Sequence, residues 1–258
     1  MESNLGPSLL ELDRVSVHFG GLHALHAVSF SVSSGEIVGL IGPNGAGKTT
    51  AFNVACGFVR PSSGHVHYGA AGRSNVHPSE LARIGVARTL QGVGLFPHCT
   101  VLENVMAGGH IRAGGDFMTS LFALPRGVRS ERHLRASALA MLERLGVANV
   151  ATLMPSAIPY GVAKKVSVAR ALMSEPSLLM LDEPASGLDE AELEEFSALI
   201  SELRSSMGVL LVEHDMEFVM PLVDRLVVLN FGEVIATGSA DEMRAHEAVI
   251  AAYLGVDE

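Results

Sequence analysis

Residues 42–50 read GPNGAGKTT, the phosphate-binding loop pattern G-x-x-x-x-G-K-[ST], set between the apolar run Ile37, Val38, Gly39, Leu40, Ile41 and a helical pattern from Lys48 to about Cys56. Strand, loop and helix in that order are the setting the motif requires. Gly42, Gly45 and Gly47 let the backbone fold around a polyphosphate with its amide hydrogens pointing inward. Lys48 supplies a point charge for the β- and γ-phosphates, Thr49 a hydroxyl for Mg²⁺, and the helix start a favourable dipole. The stretch predicts a nucleoside triphosphate site; a glycine-rich turn with no ligand is the competing reading.

Residues 177–184 read SLLMLDEP. The apolar run predicts a buried parallel strand that ends in two carboxylates, where such strands meet their ligands. Asp182 is placed to hold the Mg²⁺ shell and Glu183 to polarise an attacking water. Two adjacent acids can also simply cap the next helix. Their conjunction with Lys48 favours phosphate chemistry.

At 258 residues with 48% apolar content, the chain has enough material for one catalytic domain with a sizeable core. A net charge of -10 argues against a nucleic-acid partner, since phosphate backbones select clustered Lys and Arg. Cys56 and Cys99 are the only cysteines and read as two reduced thiols in a cytosolic protein. The segment MESNLGPSLL lacks the basic start of a secretory signal, and no apolar run approaches the roughly 20 residues needed to span a bilayer. His65 and His67 share a strand face, but without a third ligand they read as solvated.

Period-two patterning over Leu10–Phe19 and Ala27–Val32, with a short strand at Gly64–Tyr68, predicts an N-terminal antiparallel β layer. Helices are expected at Pro78–Ile84, Leu102–Ala107, Ser130–Leu145 and Val162–Met173. Phe117, Met118, Leu121 and Phe122 fall on one helical face, which is expected to pack within the helical insert; the competing reading is direct contact with a partner protein. The C-terminal half alternates: strand 178–181, helix 189–205, strand 209–213, helix 215–223, strands 225–229 and 233–237, then closing helices. The expected class is α/β, a P-loop core over residues 8–258 with a helical subdomain inserted at about 92–173.

The ordered set GPNGAGKTT, Gln91, IPYGV at 158–162, LDEP at 181–184, SGLD at 186–189 and EHD at 213–215 resembles the ATP-binding cassette (ABC) ATPases over nearly the whole chain. Within that family the likeness is to ATPase subunits of Liv-type importers for branched-chain amino acids and related polar solutes. It rests on FGGLHAL (19–25), RTLQ (88–91), LFPHCTVLENV (95–105), VEHDM (212–216), VLNFGEVIATG (228–238) and the tail VIAAYLG (249–255).

The resemblance implies an ATP- and Mg²⁺-dependent ATPase. Its nucleotide contacts would be Phe19, Gly42, Pro43, Asn44, Gly45, Ala46, Gly47, Lys48, Thr49, Thr50 and, from the opposing subunit, Gly161. Phe19 would stack on adenine; alternatively it is a core aromatic closing a strand. Thr49, Gln91 and Asp182 would arrange the metal, Glu183 would act on the water, and His214 would hold the γ-phosphate, with Lys48 stabilising charge. His214 otherwise reads as a helix cap. Asp189 matches a residue that communicates across paired ATPases and is equally a good cap.

The signature departs from the family's L-S-G-G-Q, with Ile158, Pro159, Tyr160, Gly161 and Val162 in those places. Pro159 cannot replace the serine hydroxyl, so a weakened half-site is expected; the alternative is a proline that only starts a helix.

The implied partners are integral-membrane permease subunits, a second ABC ATPase (a Liv-type paralogue or a second copy) and, indirectly, an extracytoplasmic solute-binding protein, with the chain on the cytoplasmic face of the membrane. The competing classes are a soluble mechanical ABC ATPase acting on DNA or ribosomes and a small-molecule P-loop kinase. The first calls for a coiled coil, second cassette or basic arms, and the second for an acceptor lid.

Overall fold

The structure, a computed structural model, describes residues 6–69, 72–74, 76–89, 92–109 and 125–254. Strands β1 (Ser8–Phe19) and β2 (Leu22–Ser33) form a hairpin, followed by β3 (Ile37–Ile41), α1 (Lys48–Ala55), β4 (Ser63–Tyr68) and β5 (Arg73–Ser74). A 3₁₀ segment at Pro78–Ile84 precedes β6 (Val86–Arg88), α2 (Val101–Gly109), α3 (Pro125–Arg144) and α4 (Tyr160–Leu172). The C-terminal half runs β7 (Leu178–Asp182), α5 (Glu190–Leu203), β8 (Gly208–Val212), α6 (Met216–Val219), β9 (Arg225–Asn230), β10 (Glu233–Gly238), α7 (Ala240–Arg244) and α8 (Glu247–Leu254).

The strands form two sheets. One, in the order β2-β1-β4-β5, is antiparallel. The other, β10-β9-β3-β8-β7-β6, is parallel except for β10, which returns antiparallel on β9. The central strands are apolar almost throughout because both faces are covered. Val38, Leu40, Met180, Leu210, Val212 and Leu229 face the antiparallel layer and α1, while Ile37, Ile41, Leu179, Leu181, Leu211 and Val228 face the helices. Each such side chain removed from water stabilises the fold by roughly 1.5–3 kcal/mol. The sheet's carboxyl edge is thereby a rigid platform.

Helices α2 and α4 touch backbone to backbone. A Cβ on Gly108 would lie 1.9 Å from the Arg170 carbonyl oxygen, so only glycine fits there. The fully buried Asn104 folds the loop before α2: its Oδ1 accepts from Phe96 N at 2.7 Å, and its Nδ2 donates to the Phe96, Cys99 and Thr100 carbonyls at 3.1, 3.1 and 3.0 Å.

Several elements differ from the expectation. The helix expected at 215–223 is only Met216–Val219, because Pro221 has no N–H to continue it. The helix expected at Pro78–Ile84 is present with those bounds and takes the 3₁₀ form. Strand β2 begins at Leu22 and not Ala27, and Val86–Arg88 is a further strand paired with β7. Gln91 and the face of Phe117, Met118, Leu121 and Phe122 lie outside the described residues.

Candidate nucleotide site

The loop after β3 turns on two glycines that play different parts. Gly42 sits at φ 151, and a Cβ there would lie 2.1 Å from the Leu229 carbonyl oxygen, so the backbone of β9 leaves no room for any side chain. Gly45, at φ 80, has no atom within 4 Å of its Cβ direction and faces open space, which is what the approach of a bulky anion requires. From behind, Gly232 N in the β9–β10 turn donates to Ala46 O at 3.0 Å, and His26 N of β2 donates to Gly232 O at 2.8 Å. Gly47 caps α1 without a side-chain hydrogen bond, leaving the first amides of the helix available to an anion.

Lys48 is buried. Its Nζ donates to Gly42 O at 2.6 Å and Pro43 O at 3.0 Å, which leaves one of its three N–H groups for a ligand. Burial lowers its pKa, and the carboxylates of Glu183 and Glu213 oppose that. Thr49 is exposed and Thr50 half-buried in the first turn of α1.

The acids lie at the carboxyl end of β7, one strand beyond β8, which itself flanks β3. Burial, reinforced by Glu183, raises the Asp182 carboxyl above its usual range, with Arg88 opposing. A crowded acid of this kind is stabilised by an added cation. Glu183 holds φ 48, a left-handed conformation that costs a non-glycine residue roughly 1–3 kcal/mol and persists only where its surroundings impose it. Its N–H donates to Val212 O at 2.9 Å, which attaches it to β8. His214, exposed at the end of β8, places Nδ1 3.8 Å from Glu183 Oε1 and 3.7 Å from Glu213 Oε2.

Thus the structure brings Lys48, Asp182, Glu183 and His214 to one edge of the sheet. Phe19 lies at the exposed tip of the β1–β2 hairpin, 52% accessible, and is therefore not a core aromatic. Asp189 caps α5 and accepts from Glu192 N at 2.9 Å, while Glu192 reciprocates toward Asp189 N at 3.1 Å. Pro159 is the cap of α4 and Tyr160 its first residue, so the proline is not at the first helical position where proline is favoured. The neighbours of the signature are in the segment after β7: Tyr160 packs on Gly187, and Gly161 lies under the Glu192 carboxylate, 2.2 Å from where a Cβ would stand. Two buried charges to which the motif reading gave no role, Lys164 and the Glu213 of EHD, flank the acids. The signal that could have found them is a charge within the apolar periodicity of α4 and another directly after the apolar β8.

A groove of about 340 Å³ opens where β6, α2 and α4 meet, lined by Phe58, Arg88, Phe96, Gly108 and Arg170 among others. Phe58 and Phe96 are each half exposed, with the Arg88 guanidinium 4.1 Å above the first ring and that of Arg170 5.6 Å from the second.

Residues 25–186 match the ABC transporter family, and residues 233–258 match the family described as branched-chain amino acid ATP-binding cassette transporter. The chain is 39% identical over 249 residues to the high-affinity branched-chain amino acid transport ATP-binding protein BraF of Pseudomonas aeruginosa, covering 96% of this chain and 98% of that one. It is equally similar, 39% over 249 residues and the same shares, to LivG of Escherichia coli. Among solved structures, a nucleotide-free ATP-binding cassette from an ABC transporter superposes with a TM-score of 0.82 at 29% identity, covering 95% of this chain and 98% of that one. An ADP-bound cassette of an ABC transporter gives 0.80 at 28%, covering 96% and 99%.

Proposed function

The chain belongs to the ABC transporter ATPases, and from that premise we propose that it powers import of branched-chain amino acids or a related small polar solute through permease subunits at the cytoplasmic face of a membrane. The observation that carries this reading is the C-terminal match at residues 233–258, a segment outside the general ATPase match. No described helix is long and apolar enough to cross a membrane, so permease partners would supply the pore. Reconstitution with permease and binding-protein subunits of a branched-chain amino acid importer should give ATP-driven uptake of a labelled branched-chain amino acid. ATPase activity that never associates with a membrane protein would favour the mechanical class instead.

In this reading the backbone N–H groups of Asn44, Gly45, Gly47, Lys48 and Thr49 cradle the phosphates, Pro43 having none to offer and that of Ala46 being held by Pro43 O at 3.1 Å, and the third Lys48 N–H reaches the γ-phosphate. Glu183 accepts the proton of the attacking water, and His214 contacts the γ-phosphate on the same side. Thr49, Asp182 and Gln91 would hold Mg²⁺, which supplies charge neutralisation for the phosphates. The exposed Phe19 ring is free to stack on adenine.

The groove beside Phe58 and Phe96 is the proposed seat of the permease, with Asn104 holding the Phe96 loop in place. A photo-crosslinker at position 96 is expected to capture the permease. Capture from position 122 alone would move the contact to the helical insert.

Pairing is proposed to be head to tail, with Gly161 and the uncapped start of α4 completing the partner's site. Serine at 159 would add a charge-assisted hydrogen bond to phosphate, about 1.5 kcal/mol at the low end of such bonds, or roughly tenfold. Pro159→Ser should therefore strengthen ATP-driven pairing. In a complex with a paralogue the gain should survive Lys48→Ala here and vanish when the partner loses its own loop lysine. Unchanged association would mean the Tyr160 and Gly161 backbone already compensates.

A further inference from the structure

We propose that Lys164 and Glu213 are positioning residues that grip the Glu183 loop from two different elements and hold its carboxylate in register for the water. The inference rests on the assignment of Glu183 made above. Glu213 follows β8 and is fully buried, with Oε1 accepting from Ala185 N at 2.6 Å and Oε2 from His214 N at 3.0 Å. One carboxylate thus joins the loop carrying Glu183 to the loop carrying His214. From α4, Lys164, also buried, donates from Nζ to Glu183 O at 3.2 Å and Pro184 O at 2.5 Å, with the Tyr160 ring centroid 5.4 Å away.

Those bonds account for a backbone that is otherwise unfavourable. Glu183 at φ 48 is fixed through its N–H by Val212, through its carbonyl by Lys164, and through the N–H two residues on by Glu213. Three elements, β8, α4 and the segment after β8, over-determine one left-handed residue. Removing one of two buried opposite charges leaves the other uncompensated, and here the ammonium and one of the two carboxylate oxygens are bonded to the same three-residue loop. The Lys164 ammonium also ties α4, whose first turn carries Tyr160 and Gly161, to that loop, so a shift of α4 displaces the Glu183 carbonyl directly.

Lys164→Met and Glu213→Gln are compared with wild type in the assembled ATPase complex, measuring kcat, KM and equilibrium ATP binding, with Lys164→Arg as the conservative variant and Glu183→Gln as the control. Misplacing a catalytic group by about 1 Å can cost up to a hundredfold, and a partial release of the loop is expected to lower kcat about tenfold. ATP affinity should stay within about twofold, and Lys164→Arg should recover most of the loss. Unchanged kcat in Lys164→Met while Glu183→Gln is inactive overturns the proposal, as does a kcat loss matched by an equal loss of ATP binding or not recovered by arginine. Turnover surviving in Glu183→Gln would instead overturn the assignment of Glu183. Should Lys164→Met not fold, Glu213→Gln, which keeps the side-chain shape and one acceptor oxygen, gives the same kcat test.

Discussion

Glu183→Gln lowers phosphate release by about a hundredfold or more while ATP binding remains close to wild type, on the usual scale for loss of a general base. The amide has the shape of the carboxylate, and the three backbone anchors that fix residue 183 involve none of its side-chain atoms. What is lost is the proton acceptor on the His214 side of the site, 3.8 Å from Nδ1. ATP-bound pairs should accumulate as a trapped species. Steady-state phosphate release and nucleotide binding on the assembled complex decide it, and near-wild-type turnover would remove Glu183 from its role.

The second large effect comes from adding one carbon atom. Gly42→Ala places a Cβ 2.1 Å from the Leu229 carbonyl oxygen, a distance no relaxation of a side chain can relieve, because the Cβ position is fixed by the backbone of residue 42 and the oxygen belongs to the backbone of β9. The loop must shift, and with it the Gly42 and Pro43 carbonyls that aim Lys48. Loss of one charge-assisted contact to phosphate is about 1.5–3 kcal/mol, so ATP affinity should fall tenfold to a hundredfold and the melting temperature should drop with it. Gly45→Ala meets no atom within 4 Å and bears only the strain of its positive φ, so its melting temperature should fall less. Equal losses of thermal stability in the two variants would show that conformation, and not the contact with β9, sets the requirement at residue 42.

The contrast between these positions shows what sequence reasoning can and cannot see. β3, β7, β8 and β9 were legible as unbroken apolar runs because helices cover one face and the antiparallel layer the other. The glycine loop and the strand-end acids were legible because phosphate chemistry restricts both residue type and spacing. The β1–β2 hairpin was less so: its register shifts near Arg14 and Ala27, both with φ 47, interrupt the period of two at residues whose type does not announce a turn. Pro221 was visible, yet the apolar pattern around it outweighed the missing N–H. The roles of Lys164 and Glu213 were hidden for another reason. Both residues are brought to the Glu183 loop by tertiary packing across 20 and 28 positions, and no local spacing rule encodes that meeting.

The place of β3 in its sheet also orders events during synthesis. This early strand lies between β8 and β9, and Ile37 N is held by Asp224 Oδ2, 187 positions later. At roughly 5–20 residues per second, the ribosome takes about ten to forty seconds to supply that partner. For most of that interval Ile37–Ile41 has neither neighbour, since β8 is made only shortly before Asp224 and β9 only after it, and the turn at Gly232 that backs the phosphate loop comes later still. Nucleotide therefore cannot serve as a template for the nascent N-terminal third. The apolar strand has to be shielded through that interval, and a chain broken off before β9 would leave it exposed and prone to aggregation.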